Sequence, residues 1–173
     1  MQTQLIDLAQ TKRYNFKSPD QKSCFEVTIS YKRMPQPERP QVRGSQTCLN
    51  YIASIELMQD EIVTREVFIA VFLDRANKIV GHSIISAGGM TGTVVDAKLI
   101  FKAALLSNAC AVILCHNHPS GNLSHSQADI DLTRKLIKAG ENLELPILDH
   151  LIITQNDNLD FKYFSFADEG LMY

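Results

Sequence analysis

Ala111 to Cys115 is an unbroken apolar run that leads directly into His116-Asn117-His118-Pro119-Ser120-Gly121. A short apolar run closed by proline and glycine reads as a buried strand ending in a loop. Beyond the loop comes Ser126-x-x-Asp129, a helix-start spacing, followed by Ile130, Leu132, Leu136 and Ile137 at helical intervals. The chain is thereby constrained to a strand-loop-helix corner. Residues two apart on an extended segment point the same way, so both imidazoles reach one point in space. The Asp129 carboxylate falls in the first turn of the helix that follows.

Spacing alone leaves two readings open. Two imidazoles and a carboxylate match a catalytic zinc site, which uses three protein ligands and keeps a fourth position for water. Alternatively, Ser126 and Asp129 only cap a helix and the histidines only end a strand. Cys24, Cys48, Cys110 and Cys115 form no C-x-x-C pair, so a thiolate-closed structural site is not indicated.

With 173 residues, 45% of them apolar and 21% charged, the chain has the composition of an ordinary globular protein with room for a substantial core. Ala103 to Cys115, the longest nearly apolar stretch, is interrupted by Ser107 and Asn108 and is too short to span a bilayer. Met1 to Gln10 lacks a basic region followed by an apolar core, so no signal peptide is expected. Unpatterned cysteines in apolar surroundings fit a reducing, cytoplasmic setting. Residues 1–45 hold eight Lys or Arg against four Asp or Glu, whereas residues 46–173 hold nine against fifteen. The acidic part argues against a broad phosphate-binding face, while the basic front keeps nucleic acid open as a partner.

Phe25 to Tyr31 alternates apolar and polar residues, as a strand does, and Met34 to Pro40 carries three prolines, as a connector does. Residues 1–44 are therefore expected to form an N-terminal segment and residues 45–173 the main domain. Ser45 to Gln59 has helical spacing. Val67 to Leu73 reads as a buried strand with an antiparallel partner at Ile79 to Ala87, and Gly88, Gly89 and Gly92 mark a loop. Asp96 to Leu106 reads as a helix, Pro146 to Thr154 as a strand, and Phe161 to Phe166 as a last strand. This order predicts an α/β fold with a mixed, largely antiparallel sheet flanked by helices, its site at the strand end where His116 falls.

From Glu66 through His150 the sequence resembles the RadC-like JAB domain, a branch of the MPN/JAMM metal-dependent hydrolases. The resemblance rests on His116-Asn117-His118-Pro119-Ser120-Gly121, on Ser126 and Asp129, and on Leu148-Asp149-His150-Leu151-Ile152. It implies an MPN/JAB-like fold with layering of the cytidine-deaminase kind, and a zinc ion held by His116, His118 and Asp129. The residues alone do not single out Glu66 from Glu56 or Glu61; the resemblance assigns Glu66 as general acid and base, and Ser126 as the hydroxyl that stabilises an oxyanion. It further implies hydrolysis of a peptide or isopeptide bond by metal-activated water.

Two features depart from the family pattern. Full-length RadC-type proteins carry a helix-hairpin-helix module, and nothing in residues 1–45 reads as such helices, which weakens a DNA-repair role. His125 stands where proline is common, either as an accessory ligand or pH-sensitive neighbour or as a solvent-facing loop residue. His150 is open between a support for the ligands and a hydrogen-bonded core residue, and His82 reads as structural or surface. Ser120 lacks the surroundings of a nucleophile elbow, and Thr91 and Thr93 lie near enough to the glycines to approach the site. Two other functions compete. A nuclease or DNA-associated factor would line its site with Lys or Arg, yet Ala103 to Thr133 contains none. A silent partner-binding scaffold would be expected to have lost ligands, and every motif position is present.

Overall fold

The computed structural model describes residues 39–89 and 94–173. The strand expected at Phe25 to Tyr31, most of the proline-rich connector, and Thr91 and Thr93 lie outside the described residues. The elements are α1 (Ser45–Ala53), α2 (Glu56–Glu61), β1 (Val67–Leu73), β2 (Ile79–Ala87), α3 (Ala97–Leu106), β3 (Ala111–Asn117), α4 (Gln127–Asn142), β4 (Ile147–Gln155) and β5 (Phe161–Ser165). The five strands form one sheet in the order β2-β1-β3-β4-β5. β3 and β4 are parallel, with α4 as their crossover, and every other neighbouring pair is antiparallel.

The central strands explain the layering. Every residue of β1 and of β3 is buried, so both sheet faces are covered and the sequence reads as continuous apolar runs. On one face Val67, Ile69, Val71, Ile113 and Cys115 pack with Cys48, Ile52 and Met58 from α1 and α2. On the other, Phe68, Ala70, Phe72, Val112 and Leu114 pack with Ile100, Phe101 and Leu136 from α3 and α4. Burial pushes the Cys48 thiol up to about 12, with the Asp149 carboxylate acting in the same direction, so this cysteine is an inert core residue. No described helix is long and apolar enough to cross a membrane.

The helix expected over Ser45 to Gln59 is broken. Ser54 turns its hydroxyl back onto the Tyr51 carbonyl at 2.6 Å, and Ile55 takes an extended conformation (φ −77°, ψ 120°) before α2 begins. Periodicity missed the break because Ile55 still points into the core across it. At the other end of the sheet, Arg39 pairs with Asp74 at 2.6 Å, and the Ile79 and Val42 amides donate to the Pro40 and Asn77 carbonyls. These contacts tie the approach to α1 onto the β1-β2 turn. Tyr51 and His82 meet at 2.8 Å, which gives His82 a structural partner.

Candidate metal centre

The site is built where β3 leaves the sheet. Alternation along β3 sends His116 to the α3-α4 face with Leu114, and Asn117 to the α1-α2 face. The His118 amide donates to the Ile153 carbonyl at 2.9 Å, which carries the pairing with β4 one residue past the strand. Gly121, at φ 76°, then turns the loop in a conformation that L side chains rarely adopt. The loop delivers Ser126 as the N-cap of α4 and Asp129 as the third helical residue. The Ser126 backbone amide and hydroxyl both donate to Asp129 Oδ2, each at 2.7 Å, and the Asp129 amide donates to Ser126 Oγ at 3.2 Å. This capping box fixes the carboxylate.

Asp129 Oδ1 consequently faces inward, 3.4 Å from His116 Nε2, and His118 Nε2 lies 3.0 Å from the same nitrogen. One ligand atom from each of His116, His118 and Asp129 fits within a 4.8 Å cluster. His118 Nδ1 is 2.7 Å from the Asn122 carbonyl, which can only accept, so Nδ1 carries the proton and the lone pair of the neutral ring is on Nε2. Burial pushes the His116 pKa down; the Asp129 carboxylate opposes this and His118 adds to it. A buried neutral imidazole beside a second imidazole and a carboxylate is a donor set that suits a divalent metal, zinc included. The sequence-derived triad is therefore brought together.

The carboxylates proposed for acid-base work separate in space. Glu56 is exposed at the start of α2, and Glu61 pairs with Arg65 at 2.9 Å and with the Thr64 hydroxyl. Glu66 lines a cavity of about 410 Å³ together with His116, His118, Ser126 and Asp129. Phe68 pairs with His116 across β1 and β3, and continuing that register sets Glu66 opposite His118. Backbone bonds between Glu66 and Gly88 and Gly89 extend the β1-β2 ladder to this point. Phe68, Val95 and Leu132 supply an apolar wall, and no Lys or Arg lines the cavity among the described residues. Ser126 has one hydroxyl proton, and it is directed at Asp129.

His125 is half-buried and stands outside the His116, His118 and Asp129 cluster. Its ring packs against both Phe164 and Phe166, with centroids 5.3 and 5.6 Å away, and its buried Nδ1 has no hydrogen-bond partner among the described residues. His150 is fully buried and does join the site, with Nε2 2.9 Å from His116 Nδ1. Sequence reasoning missed Asn117, whose carboxamide donates to the Ile62 and Arg65 carbonyls at 2.9 Å each. Asn117 ends β3 between the two histidines, and its spacing gives no signal of these contacts. Sequence reasoning also missed Thr133, one helical turn after Asp129.

A five-stranded mixed sheet flanked by helices, with two histidines at a strand end and a carboxylate on the next helix, defines an MPN/JAB-like domain with a candidate metal site. The model of the RadC-like JAB domain matches residues 43–171, and the chain belongs to that family. A UPF0758 protein of Flavobacterium johnsoniae is 50% identical over 106 residues, which are 61% of this chain and 44% of that protein. One from Salinibacter ruber is 40% identical over 139 residues, 79% of this chain and 55% of that protein. One from Desulforamulus reducens is 32% identical over 172 residues, 99% and 72% respectively. The chain spans about half the length of the first two relatives.

Proposed function

We propose that this chain is a zinc-dependent hydrolase of the JAMM type that cleaves a peptide or isopeptide bond. The observation that carries the proposal is the convergence of His116 Nε2, His118 Nε2 and Asp129 Oδ1 on a cavity that Glu66 also lines. When bound by these three residues, zinc supplies a Lewis acid that lowers the pKa of water toward ~7 and polarises a carbonyl. Glu66 takes a proton from the attacking water and returns it to the leaving amine. Ser126 turns its hydroxyl from Asp129 toward the developing oxyanion, a move that exchanges one hydrogen bond for another. Phe68, Val95 and Leu132 give the cavity an apolar side, and a lining with no Lys or Arg among the described residues suits a neutral amide better than a phosphodiester. The unpaired Cys48, Cys110 and Cys115 support work in the cytoplasm.

The test is hydrolysis of a fluorogenic peptide library and of ε-lysyl isopeptide conjugates by zinc-loaded wild type and Glu66→Gln. Turnover by the wild type alone supports the reading. Nicking of DNA without amide hydrolysis would instead favour a nuclease, and zinc binding without turnover on any of these substrates would favour a scaffold.

A further inference from the structure

A chain of short contacts runs from the first proposed ligand back to the third. His116 Nδ1 lies 2.9 Å from His150 Nε2, and His150 Nδ1 lies 2.7 Å from Thr133 Oγ1. Thr133 Oγ1 lies 2.6 Å from the Asp129 carbonyl oxygen. The direction of every bond follows from its far end. A carbonyl oxygen can only accept, so the single hydroxyl proton of Thr133 is committed to Asp129. Thr133 can then only accept from His150, which must carry its proton on Nδ1.

His150 has no second proton to offer. Its ring is fully buried, stacked on Phe166 at 4.9 Å and packed against Phe68 at 5.5 Å. The adjacent Asp149 carboxylate is turned away toward the Ser45 and Ser165 hydroxyls and backbone amides. A neutral His150 protonated on Nδ1 presents a lone pair at Nε2, and His116 must donate its own Nδ1 proton to it. The His116 lone pair is left on Nε2, the nitrogen that faces His118 and Asp129.

We infer that Thr133 and His150 are positioning residues that lock the proton of His116 on Nδ1 and so hold its Nε2 lone pair toward the metal centre. The inference rests on the metal-centre reading for its consequence, although the contacts that select the tautomer are all made by the chain itself. Loss of the Thr133 hydroxyl frees His150 to carry its proton on Nε2. Two N–H groups would then face each other unless His116 moved its proton to Nε2, which blocks the ligand atom. Parallel pairing of β3 with β4, which aligns Leu114 with His150, makes the relay possible across 34 residues of sequence.

The experiment is imidazole ¹⁵N NMR on the metal-free full chain, paired with zinc affinity by competition with a chromophoric chelator. In the wild type and in Thr133→Ser, His116 should be protonated on Nδ1. In Thr133→Val a fraction should shift to Nε2–H and zinc affinity should fall roughly 10- to 100-fold, the usual effect of removing a group that orients a ligand. His150→Gln, whose amide can accept and donate in the same way, should retain more affinity than His150→Phe. A wild-type His116 proton on Nε2, or a Thr133→Val variant with unchanged tautomer and unchanged zinc affinity, would overturn the inference. A wild type that shows the expected tautomer yet binds no zinc would sink the metal reading and leave the relay standing. Thermal unfolding of each variant separates misfolding from the specific effect, and Thr133→Val is close enough in shape to fold.

Discussion

The Asn117 carboxamide grips the chain on both sides of Glu66: Oδ1 accepts from the Val67 amide at 2.7 Å, and Nδ2 donates to the Arg65 carbonyl at 2.9 Å. The middle residue of His-Asn-His thus faces away from its two neighbours and steadies the backbone that carries the proposed acid-base group. Asn117→Ala leaves the buried Val67 amide without its acceptor, a loss of about 1–3 kcal/mol for the unsatisfied group. Catalytic turnover should fall while zinc content is kept. Chemical denaturation and metal analysis of the variant check both parts, and unchanged stability would contradict the clasp.

Glu66→Gln keeps the size and shape of the side chain but removes its ability to take a proton. Turnover should drop by about 100- to 10,000-fold, the range for a positioned general base. Metal content should stay at the wild-type level. Loss of metal together with activity would refute the assignment of Glu66 as a base.

Stability of the metal-free protein should decline as pH falls below about 6.5. Burial lowers the folded-state pKa of His116 and of His150 from the ordinary 6.5, so in this window the unfolded chain binds protons that the folded chain does not. By linkage the stabilisation is fully present above the unfolded value and is lost progressively toward the folded ones. Urea denaturation at pH 7.5 and pH 5, in chelator, reads the difference. Equal stability at the two pH values would show that these rings are not held neutral by the fold.

Asp149 is a buried knot beside the site. Its carboxylate accepts from Ser45 Oγ at 3.0 Å, Ser165 Oγ at 2.8 Å, the His150 amide at 2.7 Å and the Ala167 amide at 3.0 Å, joining α1, β4, β5 and the turn after β5. Asp149→Ala strands several buried donors at once and should cost about 3 kcal/mol or more. The change is read in the urea midpoint. A loss below about 1 kcal/mol would mean that water replaces the carboxylate at little cost.

Much of this was legible from the chain. Continuous apolar runs announced β1 and β3 because both sheet faces are covered there, and the i, i+2 histidines with Ser126 and Asp129 announced the triad because each spacing is local. The illegible parts depend on contacts between distant segments. His150 meets His116 only through the parallel β3-β4 register, and Thr133 meets His150 only once α4 has folded back over the sheet. Asn117 looked like a spacer between two ligands, since no pattern in the sequence tells that residues 62–67 come to its opposite side. The packing of His125 was illegible for the same reason: Phe164 and Phe166, which its ring touches, lie some forty residues further along. The break at Ser54 and Ile55 escaped because a helix and two short helices bury the same residues.

The central claim is that His116, His118 and Asp129 together hold one divalent metal. The most direct measurement is elemental analysis of the purified wild-type chain and of His118→Ala, prepared without added metal and again after zinc loading and dialysis. Near-stoichiometric zinc in the wild type, lost in the variant, is the predicted result. No retained metal in the wild type even after loading, or equal zinc in both proteins, would contradict it.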